Sequence, residues 1–172
     1  MGYTHYWKTN NYGAQEKAGF EKALPIVRKI LKKYDNIIQK EYDDEKKPVV
    51  SKKQIRFNGK GDDGHETFLF VNSDKQGDFY NPSFAFCKTA RKPYDVAVCE
   101  VLLVLNAFCP ALSISSDGFS GYLEDPEIDG TWADAVKNVK QYGIEYEVKV
   151  VNEREPYCDI EPILKGILVE IA

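Results

Sequence analysis

The stretch Pro93-Tyr94-Asp95-Val96-Ala97-Val98-Cys99-Glu100-Val101-Leu102-Leu103-Val104-Leu105-Asn106-Ala107-Phe108 decides the fold. Only Asp95, Glu100 and Asn106 are strongly polar in it, and its apolar positions cover every side of a helix rather than one stripe. A helix of that kind is stable only inside a domain. The spacing therefore predicts a buried central helix over 93–108, with Pro93 in its first turn, where the missing N–H costs nothing.

The flanking segments supply what must cover it. Tyr3, His5 and Trp7 alternate with Thr4, Tyr6 and Lys8, which predicts a strand covered on one face. Phe20, Leu24, Val27, Ile30, Leu31, Tyr34 and Ile38 recur at helical spacing, and Pro25 implies either a kink or two helices. Lys29, Lys32 and Lys33 fall on the outer face, and the run Glu41 to Lys47 reads as solvated charge. Strands are expected at 53–58, 66–72 and 83–87, the first two joined by a glycine-rich hairpin loop from Asn58 to Gly64.

Beyond the central helix, Leu112 to Ser116 reads as a strand, followed by an acidic loop as far as Asp129. A short helix is expected over 130–141 on Trp132, Ala135, Val136 and Val139, then a strand over 144–150 in which Ile144, Tyr146, Val148 and Val150 alternate with charged residues. Asp159 is expected to cap a last helix carrying Ile160, Ile163, Leu164, Ile167, Leu168 and Ile171. This order predicts an α+β fold, with a largely antiparallel or mixed sheet packed around the central helix and further amphipathic helices outside.

The chain has 172 residues, the size of one domain, and 43% hydrophobic with 29% charged residues is a globular composition. One domain over 1–172 is expected. A net charge of -4 argues against general affinity for nucleic acid or an anionic membrane, both of which need excess Lys and Arg. No run approaches the roughly 18 apolar residues of a membrane span, and Met1 to Trp7 is too polar for a secretory leader. Cys87, Cys99, Cys109 and Cys158 are scattered, without a C-x-x-C pair. They read as reduced thiols of a cytoplasmic protein, with no structural metal and no cofactor implied.

The stretch most suggestive of function is Phe86-Cys87-Lys88-Thr89-Ala90-Arg91-Lys92-Pro93-Tyr94-Asp95. If Pro93 is the first helical residue, Lys88, Arg91 and Lys92 lie just before the positive end of the helix dipole, and Lys92 stands where a capping residue belongs. An anion held there by helix N–H groups would relieve the conflict, whereas a solvated loop neutralised by Asp95 is the plainer alternative. Cys87 has no Arg at phosphatase spacing and reads as a buried, inert thiol. His5 and His65 are the only histidines, each at or beside a strand. The loop Gly59 to Glu66 lacks the ending of a P-loop.

Together, Gly2-Tyr3-Thr4-His5-Tyr6-Trp7, His65-Glu66-Thr67-Phe68 and the Phe86–Asp95 stretch resemble a family of small bacteriophage and prophage proteins without an assigned activity. The resemblance implies a setting in a bacterial host cytoplasm, such as host takeover or counter-defence. From the residues, the leading expectation is a non-catalytic binding protein for a small anionic, nucleotide-type ligand, held by Lys88, Arg91, Lys92 and Tyr94 with His5 and His65 nearby. The alternatives are an inhibitor that meets a host protein through the acidic Glu124–Asp129 surface, and a small hydrolase or nuclease using His5, His65 and Asp117.

Overall fold

The computed structural model describes residues 2–122, 125–150 and 162–168. At its centre is the apolar helix, here α2 (Asp95–Phe108), with Val98 and every residue from Val101 to Leu105 fully buried. It starts two residues later than expected: Pro93 lies outside it and Tyr94 is the N-cap. The buried Asp95 thus occupies the first turn, where the helix dipole favours a carboxylate.

Before it comes β1 (Thr4–Lys8), then α1 (Ala14–Lys33), which is one helix with Pro25 inside it rather than two. Pro25 lies on the exposed side, and Phe20, Ala23, Leu24, Val27 and Ile30 are buried on both sides of it in sequence. That apolar face holds the helix together across the missing backbone hydrogen bond. Gly19 marks where α1 meets α2: a Cβ there would lie 2.0 Å from the carbonyl oxygen of Phe108, so only glycine permits the approach.

All strand pairings are antiparallel among the described residues. The short strands β2 (Ile38–Gln39) and β3 (Val49–Val50) join β4 (Gln54–Gly59) and β5 (Phe68–Val71) in one sheet, with Phe57 opposite Phe68. A second sheet has the order β6-β1-β7, with β6 (Phe84–Lys88) and β7 (Ser113–Ser116) on either side of β1. One apolar cluster joins the two sheets to α1 and α2. Trp7 of β1 packs against Phe68 at 5.2 Å between ring centroids, and Phe20 of α1 stacks on Phe70. The fold is α+β, with antiparallel sheets and a buried central helix.

Two segments depart from expectation. The stretch read as an acidic loop forms a hairpin of β8 (Phe119–Tyr122) and β9 (Asp125–Ile128). It leads into α3 (Gly130–Val139), where Asp129 caps the helix by accepting the Trp132 N–H at 3.1 Å. The segment expected as a last helix contains the strand β11 (Pro162–Leu168), paired with β10 (Ile144–Val150) from Ile144↔Leu168 to Val150↔Pro162. Gly166 weakens a helix there, Pro162 is tolerated as a first strand residue, and β10 offers an edge to pair with. Asp159, Ile160 and Ile171 lie outside the described residues.

Among the described residues no helix is long and apolar enough to cross a membrane. Leu102 and Leu103 are both fully buried. Leu102→Ala and Leu103→Ala are each expected to lower unfolding free energy by about 2–5 kcal/mol in urea denaturation, the usual cost of a core truncation.

Candidate functional site

Every polar residue that β1 and α2 carry inward needs a partner, and these partners come from β7, from the loop before α2 and from the ends of α1 and α3. His5 is fully buried at the middle of the β6-β1-β7 sheet. Its Nε2 lies 2.6 Å from Asp95 Oδ1 and its Nδ1 2.8 Å from Ser116 Oγ. Ser116 Oγ already accepts N–H groups from Trp132 at 2.9 Å and Gly118 at 3.0 Å, so its own hydrogen goes to Nδ1. The hydrogen-bond pattern thus assigns the ring proton to Nε2, donating to Asp95. The Thr89 hydroxyl, also buried, donates to the same Asp95 oxygen.

The loop from β6 to α2 is built on this anchor. Ala90 and Arg91 have φ of 51° and 57°, consecutive left-handed residues that are not glycine and cost about 1–2 kcal/mol each. They are held by Tyr3, whose carbonyl accepts N–H groups from Thr89 at 3.0 Å and Ala90 at 3.2 Å, and by the Lys92 N–H, which donates to the Thr89 carbonyl. The turn brings the Arg91 guanidinium 3.8 Å above the Tyr3 ring, with Nη1 3.1 Å from Asp129 Oδ2. The Tyr3 hydroxyl donates to the same carboxylate oxygen. Burial and that hydrogen bond push the Tyr3 hydroxyl pKa well above the usual tyrosine value.

Ser116, His5 and Asp95 are hydrolase residue types in hydrolase order. Their bonding does not suit attack, since both Ser116 lone pairs accept N–H groups and none is left for an electrophile. The thiols nearby are equally quiet. Burial first, then the charges of Glu66 and Asp95, push the Cys87 thiol upward; burial, then Asp95, Asp129 and Glu100, push Cys99 well above its ordinary value.

The other residues expected at an anion site are distributed around this loop. Tyr94 is fully buried, its hydroxyl donating to the Glu66 carbonyl at 2.7 Å. His65 is exposed, with Nδ1 2.8 Å from the Lys88 carbonyl oxygen, so the structure brings His65 to Lys88 but leaves His5 inside. The Lys88 side chain runs against Gly2, Lys92 Nζ donates to the Asp62 carbonyl at 2.8 Å, and Arg91 reaches Asp129. The three cations therefore have three separate neighbours. Asp117 accepts the Thr4 N–H at 2.9 Å and lies apart from His65's contacts.

Thr89 and Trp132, which the sequence reading did not assign to a site, join Asp95, Ser116 and Asp129 in this network. One signal pointed to it: a carboxylate at position 95 within an apolar helix must be met by something. The same holds for the fully buried Glu100, which accepts from Lys33 at 2.9 Å, the Tyr34 hydroxyl at 2.8 Å and Asn138 at 2.7 Å.

A groove of about 550 Å³ lies elsewhere, between α1 and the turn joining β2 to β3. That turn folds back on itself, with the Lys40 N–H donating to the Lys46 carbonyl at 2.8 Å and Lys40 Nζ 2.9 Å from Asp44. The charge run is solvated as read, with Asp43, Glu45, Lys46 and Lys47 exposed, and its last residues also line one side of this cleft. Arg28, Lys32, Lys46, Lys47 and Lys60 line it, against the carboxylates of Asp35 and Glu45, over a floor that includes Leu31 and Ile38. Lys60 Nζ is tied to the Asp35 carbonyl at 2.8 Å. No protein-family model, curated protein or solved structure matches this chain.

Two outcomes are expected at the network. His5→Ala, which leaves Asp95 buried with a lost partner, should cost about 3 kcal/mol or more, while Arg91→Ala, removing an exposed pair, should cost under about 1 kcal/mol in the same denaturation assay. Cys87 and Cys99 should resist iodoacetamide in the folded protein at neutral pH and react after denaturation, as peptide mapping would show.

Proposed function

We propose that this chain is a non-catalytic binding protein for a small anionic, nucleotide-type ligand. The observation that carries the reading is the groove between α1 and the β2–β3 turn. Five cations face two carboxylates there, on a chain whose overall charge is -4. Its volume of about 550 Å³ falls in the range of small-molecule sites. Leu31 and Ile38 offer an apolar floor for a base or similar flat group, and the lysines and Arg28 surround it with phosphate-binding donors. The basic loop between β6 and α2 is the alternative location for the same ligand class, and substitution at Arg91 distinguishes it from the groove. The resemblance to phage proteins supplies the setting, in which sequestering a nucleotide-type signal would serve counter-defence.

A second reading, an inhibitor that binds a host protein, draws support from one feature. Phe79 and Tyr80 are each 92% exposed and meet edge to face with ring centroids 5.6 Å apart, an aromatic pair that is unusual on a free surface. The acidic stretch first expected to carry that role includes Asp129, which is engaged by Tyr3, Arg91 and the start of α3.

The test is thermal melting at low ionic strength with phosphate, sulfate and linear and cyclic nucleotides. A nucleotide should raise the midpoint, added salt should erase the rise, and Lys32→Glu or Lys46→Glu should abolish it while Arg91→Ala leaves it. Loss with Arg91→Ala alone would move the site to the β6–α2 loop. If no anion shifts the midpoint, the binding reading fails.

A further inference from the structure

The described residues contain one constellation whose donor chemistry the preceding readings do not use. His5 of β1 and Asp95 and Cys99 of α2 are all buried, and one ligating atom from each lies within 4.8 Å of the others. Asp95 and Cys99 are one helical turn apart on the same face, and β1 crosses that face at His5. We propose that His5 Nε2, the Asp95 carboxylate and Cys99 Sγ bind one divalent transition-metal ion of the zinc type.

Geometry supplies the first support. Cys99 Sγ is 3.6 Å from His5 Nε2. Zinc bonds of about 2.0–2.1 Å to nitrogen and about 2.3 Å to sulfur in a tetrahedron put those two atoms roughly 3.6 Å apart, whereas the 2.6 Å between His5 Nε2 and Asp95 Oδ1 is a hydrogen-bond length that must open to about 3.3 Å as the ion replaces the shared proton. Independent support comes from Asp95 Oδ2, a buried carboxylate oxygen without a hydrogen-bond partner among the described residues. An oxygen so placed is costly unless something meets it, and as a second oxygen from the same carboxylate it supplies a fourth coordinating atom. Thiolate, imidazole and carboxylate together select zinc, cobalt or iron over magnesium or calcium.

The surrounding side chains suit such an ion. Thr89 orients the carboxylate and Ser116 orients the ring, the outer contacts that ligands of this kind require. Binding is balanced as follows. The Cys99 thiol loses its proton to solvent, and the ring proton passes from Nε2 to Nδ1, where Ser116 Oγ accepts it. The Ser116 hydroxyl hydrogen, which had gone to Nδ1, then turns away from the ring, and of the N–H groups Ser116 accepts that of Gly118, at 3.0 Å, is the longest and the one it releases. The ion, one thiolate and one carboxylate sum to neutrality, so no net charge is buried. With every ligand buried, the ion would fasten β1 to α2 and present no open position for catalysis.

The test is cobalt and zinc titration of the full chain after chelator treatment. One equivalent of Co²⁺ should produce a near-ultraviolet thiolate-to-cobalt charge-transfer band, displaced by Zn²⁺, with about one proton released per ion. Affinity should fall about tenfold per unit of decreasing pH below neutrality. The band should persist in Cys87→Ser/Cys109→Ser/Cys158→Ser, which leaves Cys99 as the sole thiol, and disappear in Cys99→Ser, with circular dichroism confirming the fold of each. A folded native chain that takes up neither ion overturns the proposal, as does a band that survives Cys99→Ser. Because the groove residues are not involved, nucleotide stabilisation can fail while metal binding holds, and the reverse.

Discussion

Burying α2 on all sides while it carries Asp95 and Glu100 is the constraint on which the rest of the molecule depends. A carboxylate inside an apolar core is tolerated only when hydrogen bonds or opposite charge meet it. Glu100 is met by Lys33 and Tyr34 at the end of α1 and by Asn138 at the end of α3, so one acidic group fixes two helices against a third. Asp95 is met by His5 from the central strand and Thr89 from the loop that precedes it. These two points of polar contact set the register in which the apolar faces close, because dispersion and the hydrophobic effect by themselves are not directional.

What the sequence made legible follows from how local each signal is. The helix at 93–108, the strand at Tyr3–Lys8 and the strands around Ile55, Phe68 and Cys87 announce themselves by periodicity within a few residues, and they form with ends shifted by only one or two residues. Pro25 leaves a kinked helix and two helices both open in the sequence because its penalty is local, whereas the apolar face that keeps α1 one helix is set by packing in the core. Ile163, Leu164, Ile167 and Leu168 satisfy a helical pattern and are also compatible with a strand, and only the presence of β10 as a partner decides between them. The β8–β9 hairpin escaped notice because Asp125, Pro126 and Glu127 have low strand propensity; its pairing is a tertiary fact.

For the functional residues the same division holds. The conflict between the basic loop and the helix dipole was readable, and Asp95 with it as a neutralising charge, but Asp129 was not. The carboxylates that answer the loop are Asp95 and Asp129, and the second is 38 residues from Arg91. Likewise Lys46 and Lys47 look like ordinary solvated charge until the turn between β2 and β3 sets them across from Arg28 and Lys32. His5 could be recognised as a candidate but not as a buried one, since its partners arrive from positions 95 and 116.

The placement of β1 between β6 and β7 also governs the order in which the molecule can assemble. Lys8 pairs with Phe84 on one edge and with Ser113 on the other, so the first strand has no partner on either edge until the chain has run on from Lys8 to Phe84. During synthesis at about 5–20 residues per second, it stays unpaired for several seconds, with Tyr3 and Trp7 uncovered. Closing such long loops carries an entropic cost before any sheet contact repays it, which makes this sheet a late and slow step. Helix α1 and the β4–β5 hairpin, whose contacts are nearer in sequence, can form first and offer Phe20, Phe57 and Phe70 as a surface on which Trp7 settles. The strand that comes first in the chain is in this sense the keystone, set last.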